Sequence, residues 1–158
     1  MKNIVNILFI LSLVVASCST DNDEIANGED ITQYQATWIL NAREDANGNA
    51  VSISSCENGR NKIILANNNL GNIVLGSTIY NGNGFICGES TTIYAYDLVN
   101  SKIVFTNSNN DYTITYQIIS VDNSTLVLKK IGTSTNGVTT TIENPLKETY
   151  TKQVSSGI

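Results

Sequence analysis

The 158-residue sequence has no histidine, a single proline, a single methionine and fewer basic than acidic side chains. Each scarcity removes a class of function. Histidine is the commonest general acid and base near neutral pH, so its absence excludes a Ser-His-Asp or Cys-His arrangement. Two thiols, Cys56 and Cys87, with no histidine anywhere in the sequence make a poor zinc site. Nine Lys and Arg stand against fourteen Asp and Glu, for a net charge of −5. No basic patch is present to neutralise phosphates, which argues against nucleic acid as a partner. Beyond residue 31 amphipathic-helix periodicity is also missing from every window of about eleven or more residues.

The carboxylates beyond the N-terminal region are scattered singly. Glu89 and Asp97 are conceivable as a glycosidase-type pair, yet nothing in the sequence places them across a cleft. Asp45-Ala46-Asn47-Gly48-Asn49, preceded by Glu44, has oxygen donors at alternate positions, a fragment of a calcium loop. Its glycine is misplaced and no acid occupies the terminal ligand position, so a hairpin turn accounts for it better. The oxygen-rich stretch Asn107 to Asp111 also reads as a loop. The expectation is a protein that is not an enzyme, with no metal and no cofactor.

What the chain does have begins at its N-terminus. Lys2 precedes an apolar stretch, Ile4 to Val15, broken only by Asn6 and Ser12. That length suits the apolar region of a signal peptide and is too short to span a bilayer permanently. Val15-Ala16-Ser17-Cys18 then matches the lipobox pattern, in which small residues let the processing peptidase reach the bond before an acylated cysteine. Residues 1–17 are therefore expected to be cleaved, and Cys18 to carry a diacylglycerol and a further acyl chain such as palmitate. Each buried methylene contributes about 0.8 kcal/mol, so two or three chains hold a protein on a membrane.

Residues 18–30 are polar and acidic, with Asp21, Asp23, Glu24, Glu29 and Asp30, and read as a flexible tether of about 20 Å. Ser19 after the cysteine favours the outer membrane, and the cluster Ser19 to Glu24 resembles the acidic export signal of surface lipoproteins. A solvated linker without a sorting role explains the cluster equally well, so the cell surface and the periplasmic face both stay open. Lipidation of Cys18 leaves Cys56 and Cys87, 31 positions apart in an oxidising compartment, and a disulfide is the simplest account.

From Ile31 to the end the pattern is that of one all-β domain, residues 31–158. β-Branched and aromatic residues alternate with Thr, Ser and Asn, and turn residues recur every eight to twelve positions or so. Tyr112, Ile114, Tyr116 and Ile118 fall on one face of the clearest strand. Ala36, Trp38, Leu40 and Ala42 share a face opposed by Thr37, Ile39, Asn41 and Arg43. Further strands are expected over Lys62 to Ala66, Asn72 to Tyr80, Thr91 to Leu98, Lys102 to Thr106, Thr125 to Ile131 and Leu146 to Gln153, with a weaker one over Val138 to Ile142. Lys129-Lys130 reads as an exposed strand end. Asn47-Gly48, Asn58-Gly59, Asn81-Gly82, Asn83-Gly84 and Asn136-Gly137 supply the positive φ of tight turns. Asp30 and Gln33 have capping-box spacing, which allows one helical turn before the first strand. So many short strands hide their edges only as a closed barrel or a sandwich.

The order of features resembles the lipocalin-like domain family of bacterial outer-membrane lipoproteins. Ala36-Thr37-Trp38-Ile39-Leu40 is similar to the family's opening Gly-Thr-Trp strand, with Ala36 in place of glycine. Cys56 stands before the second strand and Cys87 after the third. Thr92-Ile93-Tyr94-Ala95-Tyr96 resembles the family's second Gly-x-Trp-type strand, with tyrosines where a tryptophan is usual. Lys102 to Phe105, Tyr116 to Ile119 and Ser124 to Leu128 follow the later strands. The resemblance covers roughly residues 31–153 and implies an up-and-down antiparallel barrel of about eight strands with a tryptophan near its closed end. It implies no settled activity.

The expected barrel interior comprises Trp38, Leu40, Tyr94, Tyr96, Tyr112, Ile114, Tyr116, Leu126 and Leu128. Two functions follow from it. One is a membrane-anchored, non-catalytic protein that binds a small apolar ligand in or at the mouth of the barrel. The other is a cell-surface structural or interaction protein, with an outer-membrane protein as partner, that acts through its loops around a filled barrel. In the second case an immunoglobulin-like sandwich, with Cys56 and Cys87 joining two sheets, is the alternative fold.

Overall fold

The structure is a computed structural model that describes residues 31–154. The expected signal peptide, Cys18 and the tether lie outside the described residues. Among the described residues no helix is long and apolar enough to cross a membrane. Nine strands follow a short 3-10 turn at Ile31–Gln33: β1 (Ala36–Glu44), β2 (Lys62–Leu65), β3 (Leu70–Tyr80), β4 (Phe85–Leu98), β5 (Lys102–Asn107), β6 (Tyr112–Val121), β7 (Thr125–Thr135), β8 (Val138–Thr141) and β9 (Lys147–Lys152).

Every pairing is antiparallel, in the order β6-β5-β4-β3-β2-β1-β9-β7-β8, and a further β6–β7 pairing closes the sheet. Eight strands thus form a closed up-and-down barrel, with β8 appended to β7. The sandwich is excluded, because one continuous sheet supplies both walls. Closure also removes most of the free edge that a flat sheet of this length would expose. All barrel strands lie between residues 36 and 152, and the core cluster draws on those residues and on Tyr34 just ahead of them.

Turn chemistry follows the asparagines. Asn136 and Gly137, at φ 49° and 79°, make the two-residue β7–β8 hairpin, where both central residues need positive φ. Asn100 and Ser101, at φ 52° and 57°, do the same between β4 and β5 without a glycine. The expected Thr91 strand begins six residues earlier, at Phe85, so Cys87, which follows β3 as expected, lies within β4. Hairpin pairing with β3 draws those residues in: Tyr80 pairs with Phe85 and Thr78 with Cys87. Pro145 splits what would be one long last strand into β8 and β9, because proline has no N–H for the ladder.

One end of the barrel is closed. There Tyr34, which follows the 3-10 turn, is buried in the core, and the Trp38 indole N–H donates to its carbonyl at 2.7 Å. Above it the bore is filled by Trp38, Leu40, Ile63, Leu65, Tyr96, Ile103, Phe105, Leu126 and Leu128, all at most 2% exposed. Phe105 lies at the centre of the aromatic packing, with its ring 5.8 Å from that of Tyr94 and 5.9 Å from that of Tyr116, edge to face. Full burial of such side chains contributes roughly 1.5–3 kcal/mol each.

Candidate functional site

Two irregularities in the ladders decide what faces the upper bore. In β1 the register with β9 slips between Leu40 and Ala42, so Asn41 is an extra residue. Beyond a bulge the inward phase changes parity. Arg43, not Ala42, therefore pairs with Glu148 and faces inward, which corrects the strict alternation expected for this strand. In β7 the slip against β6 leaves Ile131 extra, and Lys130 pairs with Tyr116. Lys130 thus continues the inward row of Leu126 and Leu128 in mid-strand, and it is half-buried rather than an exposed strand end.

Arg43 organises a polar layer on top of the apolar core. Its guanidinium reaches Glu148 from Nε at 3.1 Å and from Nη2 at 3.0 Å, and reaches Glu57 from Nη1 at 3.2 Å. The Tyr150 hydroxyl donates to the other Glu148 oxygen at 2.8 Å. Glu57 also accepts from the Ser54 backbone N–H at 3.0 Å and the Asn61 side chain at 3.2 Å. Burial works against the Arg43 charge, but attraction to Glu148 and the hydrogen bonds to both carboxylates outweigh it and raise its pKa. The Ser54 N–H, with its hydroxyl and Arg43, holds the Glu57 carboxyl below its usual range against burial. Burial beside Glu148 pushes the Tyr116 and Tyr150 hydroxyls far up, so both are neutral donors at physiological pH.

Above this layer lies a cavity of about 300 Å³ at the open end, lined by Leu75, Tyr116, Lys130, Ile142, Asn144, Leu146 and Glu148. The volume is at the small end of ligand pockets. Leu75 of β3 closes one side across the bore, and the β8–β9 segment around Pro145 supplies Ile142, Asn144 and Leu146 on the other. A second depression of about 310 Å³, bounded by Asn41, Arg43, Ala50, Val51, Ile53 and Asn58, is more polar, and its one charged side chain, Arg43, is already engaged by two carboxylates.

The expected interior residues sort by height. Trp38, Leu40, Tyr94, Tyr96, Ile114, Tyr116, Leu126 and Leu128 are buried in one cluster, and Tyr112 packs against it partly exposed. Only Tyr116 also lines the cavity; the others fill the bore. Leu75, Lys130 and Glu148 were not expected here. For Lys130 the signal was present, since it continues the Leu126, Leu128 alternation, whereas Arg43 gave none because its bulge depends on the partner strand.

Cys56 and Cys87 form the expected disulfide, with Cα atoms 4.9 Å apart. It fastens the long β1–β2 connection to the outer face of the β3–β4 hairpin. Gly76 allows that approach, because a Cβ there would overlap the Cys56 carbonyl oxygen and lie 2.7 Å from Arg60 Cβ. Glu89 and Asp97 are eight residues apart on β4, about 26 Å of strand, and cannot act as a pair. Glu89 instead meets Lys62 at 3.7 Å. Asp45 caps a tight turn by accepting from the Asn47 and Asn49 backbone N–H groups at 2.8 and 2.9 Å.

No family model and no curated protein matches the chain.

Proposed function

We propose that this protein is a lipid-anchored, extracytoplasmic, lipocalin-like barrel that binds a small, largely apolar ligand at its mouth and performs no chemistry on it. The observation that carries the reading is the cavity above the Arg43–Glu148 layer. Leu75, Ile142 and Leu146 offer it apolar surface, while the packed core beneath leaves no room for deeper entry. The leader and lipobox at residues 1–18 support delivery outside the cytoplasm and an anchor in the outer membrane, at the cell surface or its periplasmic face.

A soluble form beginning at Ser19 keeps every barrel residue and is the material for the test. Trp38 lies at the closed end, so calorimetry reports on the mouth better than tryptophan fluorescence does. Titration with 1-octanol is expected to give saturable binding, weakened about tenfold or more by Leu146→Glu, which puts a charge into the apolar wall. Unsaturable heats in the unsubstituted protein would refute the ligand reading.

A second reading, the cell-surface interaction protein, has its own support in the β3–β4 hairpin. Tyr80 and Phe85 at its tip are 66% and 78% exposed, and Ile93 on its outer face is 64% exposed. Residues 85–94 of β4 have no β5 partner, which leaves a free strand edge. Photocrosslinking from position 85 in intact cells would yield a defined adduct with an outer-membrane protein if that surface is used.

A further inference from the structure

Three polar side chains that line the cavity, Lys130, Tyr116 and the exposed Asn144, have no side-chain hydrogen bond or ion pair to any described residue. The Lys130 ammonium forms no ion pair or hydrogen bond with any described residue. The Tyr116 hydroxyl, on a residue only 6% exposed, likewise forms no hydrogen bond with any described residue, although the other inward tyrosine of this layer, Tyr150, is bonded to Glu148. The two residues are direct cross-strand partners, Tyr116 on β6 and Lys130 on β7, so their side chains leave the sheet side by side.

Glu148 does not neutralise Lys130. Its carboxylate is already taken by two Arg43 nitrogens and the Tyr150 hydroxyl, and no ion pair joins it to Lys130. An ammonium and a neutral phenol, neither bonded to a described residue, therefore meet the apolar wall of Leu75, Ile142 and Leu146 in one cavity. Both head groups stay open to the cavity, and an oxygen-bearing anion offers an acceptor to the two at once.

We propose that the mouth cavity selects a small anionic amphiphile, whose single carboxylate-sized head accepts hydrogen bonds from Lys130 Nζ and the Tyr116 hydroxyl while its apolar body lies against Leu75, Ile142 and Leu146. The proposal rests on the mouth-cavity reading and adds the sign and place of the head group. Glu57, Arg43 and Glu148 carry one net negative charge that Lys130 offsets, and because Glu148 also lines the cavity the head lies on the Lys130 side, away from that carboxylate.

The test is a calorimetric comparison of octanoate, 1-octanol and octylammonium at pH 7 with the form beginning at Ser19. Octanoate is expected to bind about 10-fold or more tightly than octanol, and octylammonium more weakly than either. In Lys130→Gln the octanoate preference should collapse to near unity, Lys130→Arg should restore most of it, and Tyr116→Phe should reduce it. Phe keeps the packing on Phe105, so this variant separates the hydroxyl from the ring. Octanol binding with no octanoate preference, or a preference that survives Lys130→Gln, overturns the anionic proposal and leaves the cavity reading standing. Absence of binding by all three probes overturns both.

Discussion

Replacement of Arg43 by methionine tests the polar layer that divides the filled core from the cavity. The substitution keeps much of the side-chain volume but strands Glu148 and Glu57 without their shared cation. Removing one partner from a buried ion pair typically costs about 3–5 kcal/mol. Here the three side chains retain 14%, 15% and 26% exposure, so water screens part of the loss and about 2–3 kcal/mol is expected at pH 7. In urea that corresponds to a midpoint lowered by about 1–2 M.

The pH dependence gives the measurement its sign. The Glu57 carboxyl is held below its ordinary 4.5 by the Ser54 N–H and hydroxyl and by Arg43, against burial. A depressed carboxyl contributes stability that is present above its unfolded pKa and is lost as pH falls through the folded one. The unsubstituted barrel should therefore weaken below about pH 4.5, while in the variant the part of the Glu57 stabilisation that Arg43 supplies is already gone. The stability gap between the two proteins should shrink from pH 7 to pH 3. Arg43→Met combined with Glu148→Gln should cost less than Arg43→Met alone, because the worst unpaired charge is gone. A gap below about 0.5 kcal/mol at pH 7, or one that widens in acid, would refute a structural role for the layer.

Reduction of the Cys56–Cys87 bond, or Cys56→Ala with Cys87→Ala, should lower stability by about 3–4 kcal/mol, because it opens a loop of 31 residues in the unfolded chain. Urea unfolding with and without reductant checks this, and coincident transitions would count against it. For the anchor, Cys18→Ala is expected to abolish palmitate labelling and to leave an unprocessed precursor in cells; a variant that still takes up label would exclude lipidation at that residue.

Much of the fold was legible because its determinants are local. Period-two alternation marked eight of the nine strands within a few residues, and Asn-Gly pairs marked the hairpins around Gly48, Gly82 and Gly137. Gly59 also has positive φ, yet it lies in the run of turns after Cys56 rather than in a hairpin. The Asn100-Ser101 turn escaped notice, since neither residue announces a left-handed conformation as a glycine does. The early start of β4 was hidden too, because Phe85 to Ser90 alternate poorly and are held by pairing with β3 alone.

By itself the sequence determined that the described domain is all-β, where most of its strands and hairpin turns fall, and which two cysteines are joined. Those features depend on side-chain period, turn chemistry and cysteine count, and each can be read within a few residues. Only the tertiary structure decided that one sheet closes on itself rather than splitting into two, and that Arg43, Lys130 and Glu148 face inward. A one-residue slip between strands turns a side chain from one face to the other, and the partner strand, far away in the chain, sets where that slip falls.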